Sequence, residues 1–253
     1  MKKLFLLVCI FLVGCVVTSA DPNCSVAKNN VAQILGNMKR STESLNSYSA
    51  DVSYLFSQTL FDSKTLRTGK IYYMKNDDKS LLKIEFNTLR QEEGKVQKQR
   101  QIYLFDGIWL YRFDYETKQA EKRQLTEPNE PVDVFELVKR NFPLVGFSDP
   151  NELSKNFTVS VQNETDKQIT LNLDVKADSD YSKDYKNIRV TIGKENFLPI
   201  KIIAASTEKD EYEITFTNPT VNEQIKADIF KLKIPAGFEQ NTVPLENGRE
   251  KNG

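Results

Sequence analysis

The chain has 253 residues, and its 35 lysines and arginines balance its 35 aspartates and glutamates. It contains no histidine. The balanced charge argues against a nucleic-acid partner, and the missing imidazole excludes Ser-His-Asp and Cys-His catalysis, histidine general bases and histidine metal ligands. No D-x-D-x-D-G loop, H-E-x-x-H pair or P-loop pattern occurs. A carboxylate pair or an oxygen-ligand metal site stays open. The acidic residues are nevertheless scattered among lysines and read as a solvated surface. No cofactor is implied.

The N-terminus has the three-part layout of an export signal. Met1-Lys2-Lys3 is basic, Leu4 to Gly14 is an unbroken apolar run, and small and polar residues follow. The run is shorter than the ~20 apolar residues of a membrane-spanning helix. Two cleavage points compete. Thr18-Ser19-Ala20 suits ordinary release, with residues 1–20 removed. Leu12-Val13-Gly14-Cys15 fits a lipobox, with residues 1–14 removed and Cys15 lipidated. The mature protein is expected in the bacterial cell envelope, periplasmic or anchored through Cys15. Cys9 leaves with the signal, and Cys24 has no evident partner, which excludes a disulfide framework.

Residues Ser25 to Asn46 predict an amphipathic helix. Ala27, Val31, Ile34, Leu35 and Met38 share a face, and Ser25 stands as N-cap. The period then changes to two. Tyr48, Ala50, Val52, Tyr54 and Phe56 alternate with mostly polar residues in a half-buried strand. Further strands are predicted over 67–75, 81–89, 99–105, 108–115 and 120–125. Asp106-Gly107 reads as a type I′ hairpin turn. Pro131 opens a mid-chain helix on which Phe135, Val138 and Phe142 share a face. The apolar stretch Phe142 to Phe147 is either a loop packed on the core or a mobile lid. Strands resume over 157–162, 168–175, 188–192, 197–207 and 211–217, and Ile229 to Ile234 reads as the last one.

This order predicts a mainly β (α+β) single domain over residues 21–241, with a polar, disordered tail over 242–253. Consecutive strands with short turns imply a curled antiparallel sheet forming an incomplete barrel, covered by the N-terminal helix and a mid-chain helical lid. The chain holds 15 phenylalanines, 10 tyrosines and one tryptophan, mostly at alternating strand positions. They either fill a core or, with a lid, enclose a cavity for an apolar ligand.

Several segments resemble the LolA family of periplasmic lipoprotein carriers. They are Leu45-Asn46-Ser47-Tyr48-Ser49-Ala50-Asp51-Val52, Gly69-Lys70-Ile71-Tyr72-Tyr73-Met74-Lys75, Phe105-Asp106-Gly107-Ile108-Trp109-Leu110-Tyr111, and Ile229 through Phe238. The resemblance runs from about Val31 to Phe238. It implies an unclosed barrel whose apolar cavity holds lipoprotein acyl chains, without catalysis. Acylated lipoproteins, an inner-membrane donor and an outer-membrane acceptor are the implied partners of a monomer. The candidate lipid-binding residues are Val52, Tyr54, Phe56, Leu82, Ile84, Phe86, Trp109 and Tyr111, with Phe135, Val138 and Phe142 from the lid. The sheet face is open, because a one-residue shift inverts it. One departure stands out. The family's lid-holding arginine after its second strand is absent from Lys75-Asn76-Asp77-Asp78, leaving Lys75 or Arg67 to substitute. An anchored acceptor, a sensor or interaction module, and a carboxylate enzyme are the alternatives.

Overall fold

The computed structural model describes residues 30–76, 79–127, 134, 144–145, 147 and 150–245. The export signal, Cys15, Cys24, Ser25, Ala27, Phe135, Val138 and Phe142 lie outside these residues. Helix α1 runs Val31–Glu43 and is capped by Asn30, whose Oδ1 accepts from the Gln33 N–H at 2.8 Å. Ile34 and Met38 are its fully buried positions, as the spacing predicted.

The strands are β1 Ser47–Gln58, β2 Ser63–Asn76, β3 Lys79–Gln91, β4 Gln97–Phe105, β5 Trp109–Asp114 and β6 Gln119–Gln124. A second helix, α2, spans Pro150–Asn156. Then follow β7 Phe157–Glu164, β8 Gln168–Val175, β9 Tyr185–Gly193, β10 Pro199–Ser206, β11 Glu211–Val221 and β12 Glu239–Val243. Among the described residues all twelve form one sheet, in the order β12-β6-β5-β4-β3-β2-β1-β11-β10-β9-β8-β7. The edges β12 and β7 do not pair with each other, so the sheet curls without closing, as expected. The pairing of β1 with β11 joins the two halves of the chain. Asn222, just past β11 with φ 58°, ties that junction to α1. Its Oδ1 accepts from the Asn46 N–H at 2.7 Å, and its Nδ2 donates to the Ser44 carbonyl at 3.0 Å.

Curvature has a local cause at Gly69. The β2–β3 register slips between Thr68 and Gly69, leaving Asn87 as an extra residue on β3. Such a bulge bends and twists a sheet. The backbones approach so closely there that a Cβ on Gly69 would stand 1.8 Å from the Glu85 carbonyl oxygen. Glycine is therefore required for close approach, not for its φ.

Three expectations are corrected. The Asp106-Gly107 turn is a three-residue loop. Asp106 Oδ1 accepts from the Ile108 and Trp109 N–H groups at 3.1 and 2.9 Å, and only Gly107 has positive φ, at 100°. Ile229 to Ile234 is not a strand: a 3-10 helix covers Ala227–Phe230. The segment after it crosses the face of the sheet, where no strand edge offers a ladder, and Leu232 and Phe238 pack on Ile102, Phe113 and Ala120. The last strand comes later and pairs with β6 in parallel. It takes Thr242 and Val243 out of the expected tail. In addition, α2 falls where no element was predicted. Pro150 at its start, Glu152 in the first turn and Lys155 in the last suit a helix.

Candidate functional site

Register fixes which side chains share a face, because cross-strand partners point the same way. Tyr48, Ala50, Val52, Tyr54 and Phe56 face the same side as their β2 partners Tyr73, Ile71, Gly69, Arg67 and Thr65. The same face continues on β3 through Leu82, Ile84 and Phe86, and on β4 through Phe105 and Tyr103. On the other side of β1 it continues through Phe216, Ile214 and Tyr212 of β11, then Ile202 and Ala204 of β10. This is the inner face, which carries the main core. Six of the candidate residues therefore come together: Val52, Tyr54, Phe56, Leu82, Ile84 and Phe86.

Trp109 and Tyr111 do not join them. On β5 the inward partners of Phe105 and Tyr103 are Leu110 and Arg112, so the two aromatics point outward. There Lys122 lies over the Trp109 ring at 4.0 Å, and the Tyr111 hydroxyl donates to Asp106 Oδ2 at 3.0 Å. Burial, then the Asp106 carboxylate, pushes the Tyr111 hydroxyl up to about 12. These contacts tie Trp109 and Tyr111 into the turn and the outer face.

The inner face is sealed at one end. Leu144, Val145 and Phe147 are buried there, and the Phe147 ring meets Tyr48 at 5.3 Å and Phe216 at 5.4 Å. Val134 joins the same core, and its N–H donates to Ser80 Oγ at 3.4 Å. For these residues the packed-loop reading of the mid-chain apolar stretch holds.

Toward the β1–β2 turn the face changes character. A row of rings crosses the sheet from Tyr103 to Phe86 at 6.4 Å, Phe86 to Tyr54 at 6.0 Å, Tyr54 to Tyr212 at 6.4 Å, and Tyr212 to Tyr185 at 6.2 Å. Phe56 stacks on Tyr212 at 4.9 Å. Gly69 stands between Val52 and Phe86 in the register. Tyr54, Phe56, Tyr103 and Tyr212 are only half-buried. Burial holds the Tyr54, Tyr103, Tyr185 and Tyr212 hydroxyls above the ordinary tyrosine range, so they are protonated donors at neutral pH. Tyr103, Tyr185, Tyr212 and the intervening Arg67 were not named in the candidate set. Arg67 is on the inner face at the turn-side end of β2, whereas Lys75 is exposed at its other end.

Beyond the Ile102, Phe113 and Ala120 cluster, the outer face over β1 to β3 is polar by contrast. Glu85 accepts from Lys83 Nζ and from Arg100, both at 2.8 Å, and Asp51 pairs with Lys70 at 2.7 Å. Burial raises Glu85, but its bonds and charge attraction to Lys83 and Arg100 prevail and hold it below the ordinary carboxylate range. A depression of about 360 Å³ lies over the Gly69 bulge, bordered by Asp51, Ser53, Lys70 and Asn87.

No protein-family model and no curated protein matches the chain. Solved structures do. An uncharacterized conserved protein from Thermus thermophilus is 10% identical at a TM-score of 0.47, over 84% of this chain and 98% of that one. A chain of the Pseudomonas aeruginosa MucA/MucB complex is 13% identical at a TM-score of 0.41. That match covers 79% of this chain, which spans 60% of the other's length. A LolA superfamily protein from Nitrosomonas europaea is 11% identical at a TM-score of 0.36, over 81% of this chain and 99% of that one. The chain is similar in outline to these proteins, and likeness at this level says nothing of what it binds.

Proposed function

We propose that this is an exported, non-enzymatic binding protein of the cell envelope, a LolA-like carrier that holds lipoprotein acyl chains against its inner face. The observation that supports the reading is the half-buried ring row, continuous with an apolar core on an unclosed sheet. Rigid aromatic side chains left partly uncovered on an inner face give an acyl chain a surface to bury against. Each buried CH₂ contributes about 0.8 kcal/mol, so a lipidated client crosses water only when its chains are covered. Val52, Tyr54, Phe56, Leu82, Ile84 and Phe86 belong to this surface, and Trp109 and Tyr111 do not. The partners are acylated lipoproteins, received from an inner-membrane donor and passed to an outer-membrane acceptor for sorting.

Native mass spectrometry of protein purified from its own envelope tests this. Co-purified acyl ligand or lipoprotein is expected, and a chain free of both in every preparation contradicts it. The same spectrum reads the mature N-terminus. Release after Ala20 fits a diffusing carrier, whereas a lipidated Cys15 fits an anchored acceptor or sensor. That second reading draws on Leu60 and Phe61, 79% and 72% exposed at the β1–β2 turn, which form an apolar tip for a partner surface.

A further inference from the structure

The outer-face depression of about 360 Å³ over the Gly69 bulge lies where two irregularities of the sheet meet. On one side Asn87 is skipped by both the β2 and the β4 ladders, which leaves its backbone outside the regular pairing. On the other side the β1–β11 register slips, and Asn218 and Pro219 stand opposite the single Ala50. Between them Asp51 accepts from Lys70 Nζ at 2.7 Å through Oδ1, and from Asn218 Nδ2 at 2.8 Å through Oδ2. First Lys70 and then Asn218 hold the Asp51 carboxyl below the ordinary range, so the pair is ionised at neutral pH. Ser53, Asn87 and Thr217 also line the depression, and their side chains make no hydrogen bond among the described residues.

We propose that this depression binds a neutral saccharide of one or two rings. Its volume is at the small end of the range for ligand sites. Asp51 and Lys70 stand side by side, so an anion meets the carboxylate and a cation meets the ammonium. An apolar ligand would strip water from Ser53, Asn87 and Thr217 and return no hydrogen bond. Sugar hydroxyls both donate and accept. They donate to the remaining lone pairs of Asp51, accept from the N–H groups Lys70 has left over, and do either with the two hydroxyls and the amide. Paired bulges serve such a site, because a bulge re-aims side chains out of the flat pleat. The depression is on the opposite face from the ring row, so it goes beyond the acyl-binding reading and stands or falls without it.

The test is an amide NMR titration of the full chain with maltose and cellobiose as neutral probes, and glucuronate and glucosamine as charged ones. At least one neutral disaccharide is expected to shift the signals of Asp51, Ser53, Lys70, Asn87 and Thr217, with a Kd on the order of 1 mM. The charged sugars should bind about threefold weaker, the scale of one exposed like-charge contact. Asn87→Ala should weaken the neutral probe about fivefold, the scale of one neutral hydrogen bond. Ser53→Ala and Thr217→Ala should weaken it less, and Ser160→Ala, on the outer face of β7, should match wild type. Thermal melts check that each variant folds. If Asn87→Ala fails to fold, Ser53→Ala and Thr217→Ala decide. No shift at these residues from either neutral disaccharide at tens of millimolar overturns the proposal. So does a charged sugar that binds better than both, or binding that is unchanged in every folded variant that lines the depression.

Discussion

The two halves of the inner face are filled differently. On β8, β9 and β10 the inward residues, apart from Tyr185 at the ring-row end, are mainly aliphatic: Ile169, Leu171, Leu173, Ile188, Val190, Ile192, Ile202 and Ala204 are at most 1% exposed. Ile34 and Met38 of α1 and Leu153 of α2 belong to the same core. On β1 to β4, and on β11 beside them, the turn-side inward residues are large rings and an arginine, several half-buried. Both halves come from strands with the same alternation, and what differs is the type of side chain and its exposure. Branched aliphatics beneath helices make a close-packed interior that holds the fold. Aromatics left partly open keep a surface that can accept something else.

The largest effect should come from the aliphatic half. Leu171→Ala is expected to cost about 2–5 kcal/mol of stability in chemical denaturation, because it opens a cavity in a fully buried layer. A cost near zero would mean the half is loosely packed. Gly69→Ala should cost roughly 1–3 kcal/mol through the clash with the Glu85 backbone. It should also disturb the near-ultraviolet signal of the ring row above the bulge.

Glu85→Gln tests the outer face. At pH 7 it should cost about 1 kcal/mol, since it weakens the pairing of Lys83 and Arg100. The native carboxyl titrates below its unfolded value, so its contribution is complete above about pH 4.3 and fades as pH falls through the folded value. The stability gap between wild type and variant should therefore close in acid. A gap that widens in acid would contradict the assignment.

The smallest stability effect should come from the open half. Phe56→Ala should cost about 1 kcal/mol, the scale of its stacked pair with Tyr212. It should weaken an acyl probe several-fold, whereas Trp109→Ala leaves probe binding unchanged. Equal losses from the two variants would erase the distinction between inner and outer faces.

Much of this was legible in the residues. The alternation from Tyr48 to Phe56 revealed β1 and its apolar face, and the spacing of Ile34 and Met38 revealed the buried stripe of α1. Which distant strands would meet was not legible. Tyr212 and Tyr185 enter the ring row through the pairing of β1 with β11, a contact far apart in the chain, and then of β11 with β10 and β10 with β9. The misplacement of Trp109 and Tyr111 has a similar cause. Carrying a face from Phe86 to β5 requires the β3–β4 register, and the extra Asn87 interrupts the alternation there. The strand expected over 229–234 failed because alternation reports which side chains are buried, not whether an edge is available to pair with. Arg67 drew notice only as a stand-in for an absent arginine. Its place on the inner face opposite Tyr54 appears only once the strands are laid side by side.

Photo-crosslinking with a diazirine-labelled fatty acyl chain tests the central claim most directly. Peptide mapping should place the label on Tyr54, Phe56, Phe86, Tyr103 or Tyr212. Labelling confined to Trp109, Tyr111 and the outer face, or none above the level of a chain denatured beforehand, would contradict an acyl-binding inner face.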